Sequence, residues 1–165
     1  PRQRILDDGF YDSQSAPTGC DRKKRGKNQA VGRSRGGLTT KIHLAVDGQG
    51  RPLRFILTGG QVHDITQASN LLEGFVPGSV IADKSYDADH FIEEVRKIQA
   101  FAVIPPRSNR NDQRWYDRQL YKLRNLIERT IGKLKQFRRL ATRFDRNDAN
   151  YKAFWMLASI QLWYV

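Results

Sequence analysis

Apolar and polar positions alternate most cleanly from Leu38 to Asp47, LTTKIHLAVD, a run rich in β-branched residues. A two-residue period is that of a strand packed on its faces. Gly48-Gln49-Gly50 interrupts the pattern and RPLRFILTGG, 51–60, restores it, so the two runs predict a β-hairpin. Further on, the period lengthens. DITQASNLLEGF, 64–75, opens on Asp64 as an N-cap and predicts a helix ended by Pro77 and Gly78. SVIAD, 79–83, is a short apolar strand, DADHFIEEVRKIQ, 87–99, a second helix, and AFAVIPP, 100–106, a strand closed by Pro105 and Pro106. After a polar loop, 107–113, the pattern is helical to about Arg139, and NDANYKAFWMLASIQLWYV, 147–165, predicts a largely buried final helix.

Ahead of the hairpin, a segment with Phe10 and Tyr11 leads to Asp12 and predicts a strand that Asp12 ends. Residues 17–37 are polar, basic and Gly-rich, a flexible loop suited to ordering on a polyanion. Strands and helices alternating through the centre predict an α/β fold, with antiparallel strands from the hairpin and a parallel crossover from 79–104.

With 165 residues, the chain fits a single domain with a proper core. No apolar run reaches membrane-span length and no signal peptide is evident. Met156 is the only methionine, which predicts a fragment or processed product, and the lone Cys20 excludes an internal disulfide and fits a reducing cytoplasm. Charge sharpens the picture. Residues 107–146 hold 13 Lys/Arg against 4 Asp/Glu, residues 21–43 hold 8 against 1, and the remaining positions hold 8 against 12. Two basic blocks flanking a mildly acidic body form the electrostatic footprint of a phosphate-neutralising protein.

Within this basic chain, three acids stand at telling places: Asp12 and Asp83 at strand ends, and Glu128 within YKLRNLIERTIGKLK, 121–135. Tyr121, Arg124, Glu128 and Lys135 fall within roughly 60° on one helical face at about 100° per residue. Strand-end carboxylates in an α/β sheet point into the crevice where ligands bind. Three converging carboxylates repel unless a cation sits among them, and Mg²⁺ takes such oxygen donors. Two ions about 4 Å apart would drive phosphoryl transfer. Asp7 and Asp8 compete with Asp12, and Asp87 and Asp89 with Asp83; Asp64, Asp87, Asp112 and Asp148 also read as caps or turn residues. His43 and His63 lack the third histidine or cysteine at ligand spacing that zinc needs. Trp155 and Trp163, eight apart, read as core anchors, and Trp115 as either core or stacking platform.

Four passages resemble the DDE transposases of bacterial insertion sequences, in the insertion sequence five branch of the insertion sequence four superfamily. They are Asp12-Ser13-Gln14-Ser15, then GRSRGGLTTKIHLAVDGQGRPL with GGQVHD, then ADKSYDAD, and Tyr121-x2-Arg124-x3-Glu128-x6-Lys135 running into FRRLATRFDR. The resemblance covers nearly the whole chain. It implies a ribonuclease-H-like mixed sheet flanked by helices, and metal-dependent cleavage and strand transfer at insertion-sequence ends. Asp12, Asp83 and Glu128 would hold two Mg²⁺ or Mn²⁺ ions. Tyr121, Arg124, Lys135, Arg138, Arg139, Lys23, Lys24 and Arg25 would contact DNA, both terminal inverted repeats and target. A homodimer on DNA and a bacterial, cytoplasmic, nucleoid-associated location are further expectations. Two departures stand out. Ser85 occupies a place where glycine is expected, which would strain a backbone with positive φ. Only eleven residues precede Asp12, so the N-terminal DNA-recognition region is expected to be absent. The alternative reading is a non-catalytic DNA-binding remnant of a truncated or split transposase.

Overall fold

The computed structural model describes residues 4–7, 11–14, 29–34 and 37–164, with backbone alone for 4–7 and 11–14. Strand β4 (Gly37–Asp47) organises the sheet. Its β-branched run leaves positions 39–47 buried on both faces, as a central strand requires. Along one edge, β5 (Pro52–Gly59) pairs antiparallel from Thr40↔Gly59 to Val46↔Pro52, and β3 (Gly32–Ser34) pairs with its start. Along the other edge run β1 (Arg4–Asp7) and β2 (Tyr11–Gln14), both antiparallel to β4. Asp7 opposes Ala45 and Tyr11 opposes Ile42, so four steps on one side match three on the other. Beyond β1 lies β6 (Ser79–Ile81), parallel to it, and then β7 (Phe101–Val103), parallel to β6.

Helices cover both faces. On one, α1 (Ile65–Leu72) and α2 (Asp89–Lys97) bury Ala68, Leu71, Leu72, Phe91, Ile92 and Val95 against Ala45 and Val80. On the other, α4 (Asn125–Leu134) and α6 (Asp148–Trp163) bury Ile127, Ile131, Leu134, Tyr151 and Trp155 against Ile42, Leu44, Val46 and Ile81. The short α3 (Arg118–Tyr121) and α5 (Arg138–Ala141) flank α4. Among the described residues, no helix is long and apolar enough to cross a membrane.

Several elements depart from the pattern-based expectations. The expected loop over 17–37 contributes β3, because Gly32–Ser34 completes the β4 edge next to β5; most of the rest of that loop lies outside the described residues. The strand expected over 79–83 ends at Ile81, leaving Asp83 two residues past it. The expected unbroken helix to Arg139 is divided: a 3-10 turn at Lys122–Arg124 precedes α4, which stops at Leu134. Phe137 there is extended (φ −78°, ψ 109°), and α5 turns back so that Leu140 reaches the core and its carbonyl accepts from Tyr151 Oη at 3.0 Å. The final helix is half buried: Trp155 is fully enclosed, while Met156, Leu157 and Ile160 stand about half exposed. A helix apolar all round can lay only one side on a sheet. Trp163 is likewise no core anchor; it is half exposed and bonds Pro52 O through Nε1 at 3.1 Å.

Candidate active site

The carboxyl ends of β1 and β6 lie side by side. Leu6 pairs with Ile81, Asp7 closes β1, and Asp83 follows β6 after Ala82. Asp83 is extended (φ −79°, ψ 175°) and caps the 3-10 turn Lys84–Tyr86, accepting from Ser85 N at 2.6 Å and from Ser85 Oγ. An aspartate that bonds the backbone two residues on is a local preference of this side chain. Ser85 is unstrained: among the described residues, Gln99 is the one non-glycine with positive φ. The strain expected at Ser85 is therefore absent, and its hydroxyl supplies a bond that glycine lacks.

A second layer holds this turn. Arg107 donates to Lys84 O at 3.0 Å and Ser85 O at 2.8 Å, while its own N–H donates to Asp87 Oδ2 at 2.8 Å. The Asp87 side chain is wholly buried and also takes Arg110 Nε at 2.6 Å and Arg114 Nη2. Hydrogen bonds to Asp89 first, then to Asp87, raise Arg110 further above its ordinary value. Asp87, which reads as a turn residue in the sequence, is thus the buried hub tying the 107–114 loop to the turn after Asp83. Periodicity carried no sign of it, because its partners stand 20 to 27 residues away.

The signature face forms by a bent route. Asp117 caps α3 through Gln119 N and Leu120 N, at 2.8 and 3.0 Å. Tyr121 closes α3, Arg124 closes the 3-10 turn, Glu128 lies in the first turn of α4 and Lys135 caps its end. Arg124 Nη2 donates to Glu128 Oε1 at 2.6 Å and its guanidinium lies 5.8 Å from the Tyr121 ring centroid, so these three adjoin. Glu128 is exposed. Both α4 and the turn before it pack against β1, the strand Asp7 ends.

Asp12 lies elsewhere than expected. It is the second residue of β2, opposite Lys41, and does not end the first strand; that place belongs to Asp7. Arg138 and Arg139 are exposed on α5, over the rings of Phe144 and Phe154 at 5.7 and 4.4 Å. Lys23, Lys24 and Arg25 lie outside the described residues. No three His, Cys, Asp or Glu of the described residues group to hold a metal ion. Asp83 and Glu128 nonetheless suit a hard cation chemically: each is a carboxylate with one oxygen bonded by a neighbour and the other taking no hydrogen bond from a described residue.

A buried polar cluster on the α1 face escaped sequence reading. Asp64 stands at the N-cap of α1 but makes no side-chain cap bond. It faces Lys41 Nζ at 3.0 Å and His43 Nδ1 at 3.8 Å instead. Lys41 also donates to Val62 O at 2.7 Å, and His43 Nε2 meets Thr58 Oγ1 at 2.8 Å. Burial lowers the His43 pKa to about 4, against Asp64, which raises it, and with Lys41, which lowers it further. At neutral pH the imidazole is uncharged.

Residues 6–163 match the family model described as transposase DDE domain. The chain belongs to that family. It is also 40% identical over 128 residues to a protein of Brucella ovis assigned as a transposase for insertion sequence element IS6501, covering 76% of this chain and 98% of that one. Over 145 residues it is 33% identical to a protein of Burkholderia cepacia assigned likewise for IS402, covering 81% of this chain and 65% of the relative. The chain thus spans about two thirds of that longer relative. No solved structure matches it. As a DDE domain of insertion-sequence transposases, it carries its acids on a mixed α/β scaffold.

Proposed function

We propose that this domain cuts DNA at the ends of an insertion sequence and joins the freed 3′ hydroxyl to target DNA. The observation that carries this reading is the parallel pairing of β1 with β6 beneath α4. It supports Asp7, Asp83 and Glu128 as the acid set, with Asp7 preferred to Asp12 because Asp7 adjoins the Asp83 strand end. A run of three antiparallel strands continued by two parallel ones, β5–β4–β1–β6–β7, supports a ribonuclease-H-like fold. The three acids would hold Mg²⁺ or Mn²⁺, two ions in the working site, which when bound activate the attacking oxygen and stabilise the leaving one.

The protein's own groups orient the substrate. Ser85 fixes one Asp83 oxygen and leaves the other for the cation. Arg124 restrains the Glu128 carboxylate and brings its guanidinium charge beside it, where a phosphate would be drawn. Tyr121 presents a ring on which an exposed base can stack, while Lys135, Arg138, Arg139, Lys23, Lys24 and Arg25 neutralise backbone charge. Two copies would hold the paired inverted repeats.

The test measures Mg²⁺-dependent nicking of a duplex carrying the element's end, in Asp7→Asn, Asp12→Asn, Asp83→Asn and Glu128→Gln. Loss of nicking by about a thousandfold or more is expected in all but Asp12→Asn, with duplex affinity kept within about threefold. Full activity in Asp7→Asn with loss in Asp12→Asn would restore Asp12 to the acid set. Binding without nicking by the wild-type chain would favour a non-catalytic remnant.

A further inference from the structure

Helix α4 carries a second pair of cations that this reading leaves unused. Arg129 and Lys133 lie roughly 100–140° around the axis from Glu128, at about 100° per residue. They face the turn of the β4–β5 hairpin. With Gln49, Gly50, Arg51 and Thr130 they line a concave pocket of about 320 Å³. Its walls are fixed. Thr130 Oγ1 donates to Gly50 O at 2.6 Å, joining helix to turn. Gly50 has φ +81°, and a Cβ there would meet Thr130 Oγ1 at 3.0 Å, so turn and helix touch as closely as glycine permits. Arg51 Nη2 pairs with Asp47 at 2.6 Å, and its guanidinium lies 4.5 Å from the centroid of the Trp163 ring. Arg129 and Lys133 are exposed, and their side chains make no ion pair or hydrogen bond with any described residue. Three cations against the single carboxylate of Asp47 leave the pocket with two positive charges.

We propose that this pocket binds backbone phosphates of DNA running along the hairpin side of α4, away from the face that bears Glu128. A rigid concave wall with two uncommitted, long, cationic side chains suits phosphates strung along a duplex, whose neutralisation releases counterions. The two faces of one helix would then hold separate stretches of nucleic acid, one presented to the acids and one held beyond them. This inference rests on the chain acting on DNA, and it needs no strand cleavage.

The experiment is fluorescence anisotropy with a short mixed-sequence duplex across a KCl series. It compares the wild type with the Arg129→Ala/Lys133→Ala and Arg129→Glu/Lys133→Glu double variants. The alanine pair should flatten the slope of log affinity against log salt by about two and weaken binding roughly tenfold, the glutamate pair more, with thermal unfolding unchanged. Wild-type slope and affinity in both double variants would overturn the pocket alone. Failure of the wild type to bind any duplex would overturn both the pocket and the DNA reading. Inorganic phosphate displacing the duplex from the wild type but not from the alanine pair, at matched ionic strength, would make this a free-anion site and overturn the backbone proposal.

Discussion

Asp83 owes its orientation to one neighbour, since both the N–H and the hydroxyl of Ser85 bond the same carboxylate oxygen. Ser85→Ala removes the hydroxyl bond and keeps the backbone one. We expect kcat for nicking to fall about tenfold, KM for DNA to stay, and the Mg²⁺ level for half activity to rise, in line with about 1.5 kcal/mol for a hydrogen bond to a charged group. Stability should change by less than about 0.5 kcal/mol, because Ser85 is only half buried; a large drop in melting temperature with kcat intact would make the serine merely structural. His43 acts on stability instead. Its folded pKa, about 4, lies below the ordinary imidazole value of about 6.5, so folding favours the neutral ring. That contribution is fully present above about pH 6.5 and is lost as pH falls through about 4, amounting to roughly 3 kcal/mol. Urea unfolding of wild type and His43→Asn from pH 7 to 4 reads it as a difference in slope; parallel curves would exclude His43. At this scale the sequence made three candidate acids among cations legible, and it left Asp7 and Asp8 as rivals of Asp12 for the first. Asp7 and Asp12 are five residues apart, and the pairing of β1 with β6 is what favours Asp7 in the proposed acid set.

Elements are held at the site by charges whose partners are remote in sequence. Asp87 gathers Arg110, Arg114 and the Arg107 N–H from the 107–114 loop, and Arg107 grips the turn after Asp83. Asp87→Ala would leave the part-exposed Arg110 and Arg114 without their buried carboxylate and free that loop. Losing the bonds that hold this loop should lower the melting temperature by several degrees. Calorimetry measures it, and a loss under about 1 kcal/mol would show that the arginines rehydrate without the carboxylate. Local pattern could not show this hub, nor the break in the long C-terminal helix. From Arg118 to Arg139 the helical period is nearly continuous, and its interruption after Leu134 answers a tertiary demand, burial of Leu140 beneath Tyr151. The hairpin, by contrast, was plain from alternation and the Gly48-Gln49-Gly50 turn alone, because its pairing is between neighbours in sequence.

Across the whole molecule, the order of strands in the sheet differs from their order in the chain. The first strand is interior, bonded to β4 on one side and β6 on the other, so the N-terminal segment joins the antiparallel half of the sheet to the parallel half. Alternation and short apolar runs identified strands of both kinds but not β1 at Arg4–Asp7, and they held no information on which strands lie adjacent, since a parallel crossover closes over a long stretch of sequence. Deleting residues 1–14 should therefore do more than trim an end. It would unpair β4 and β6 along facing edges and expose backbone groups in the middle of the core, where each unsatisfied donor or acceptor costs about 1–3 kcal/mol. We expect the shortened chain to lose cooperative thermal unfolding and near-ultraviolet dichroism. Removing the two residues after Trp163 should leave both intact, because Tyr164 is 87% exposed. A cooperative melt in the N-terminally shortened chain would mean that the two halves of the sheet can close without β1. The adjacency of Asp7 and Asp83, on which the catalytic reading depends, would then be dispensable to the fold.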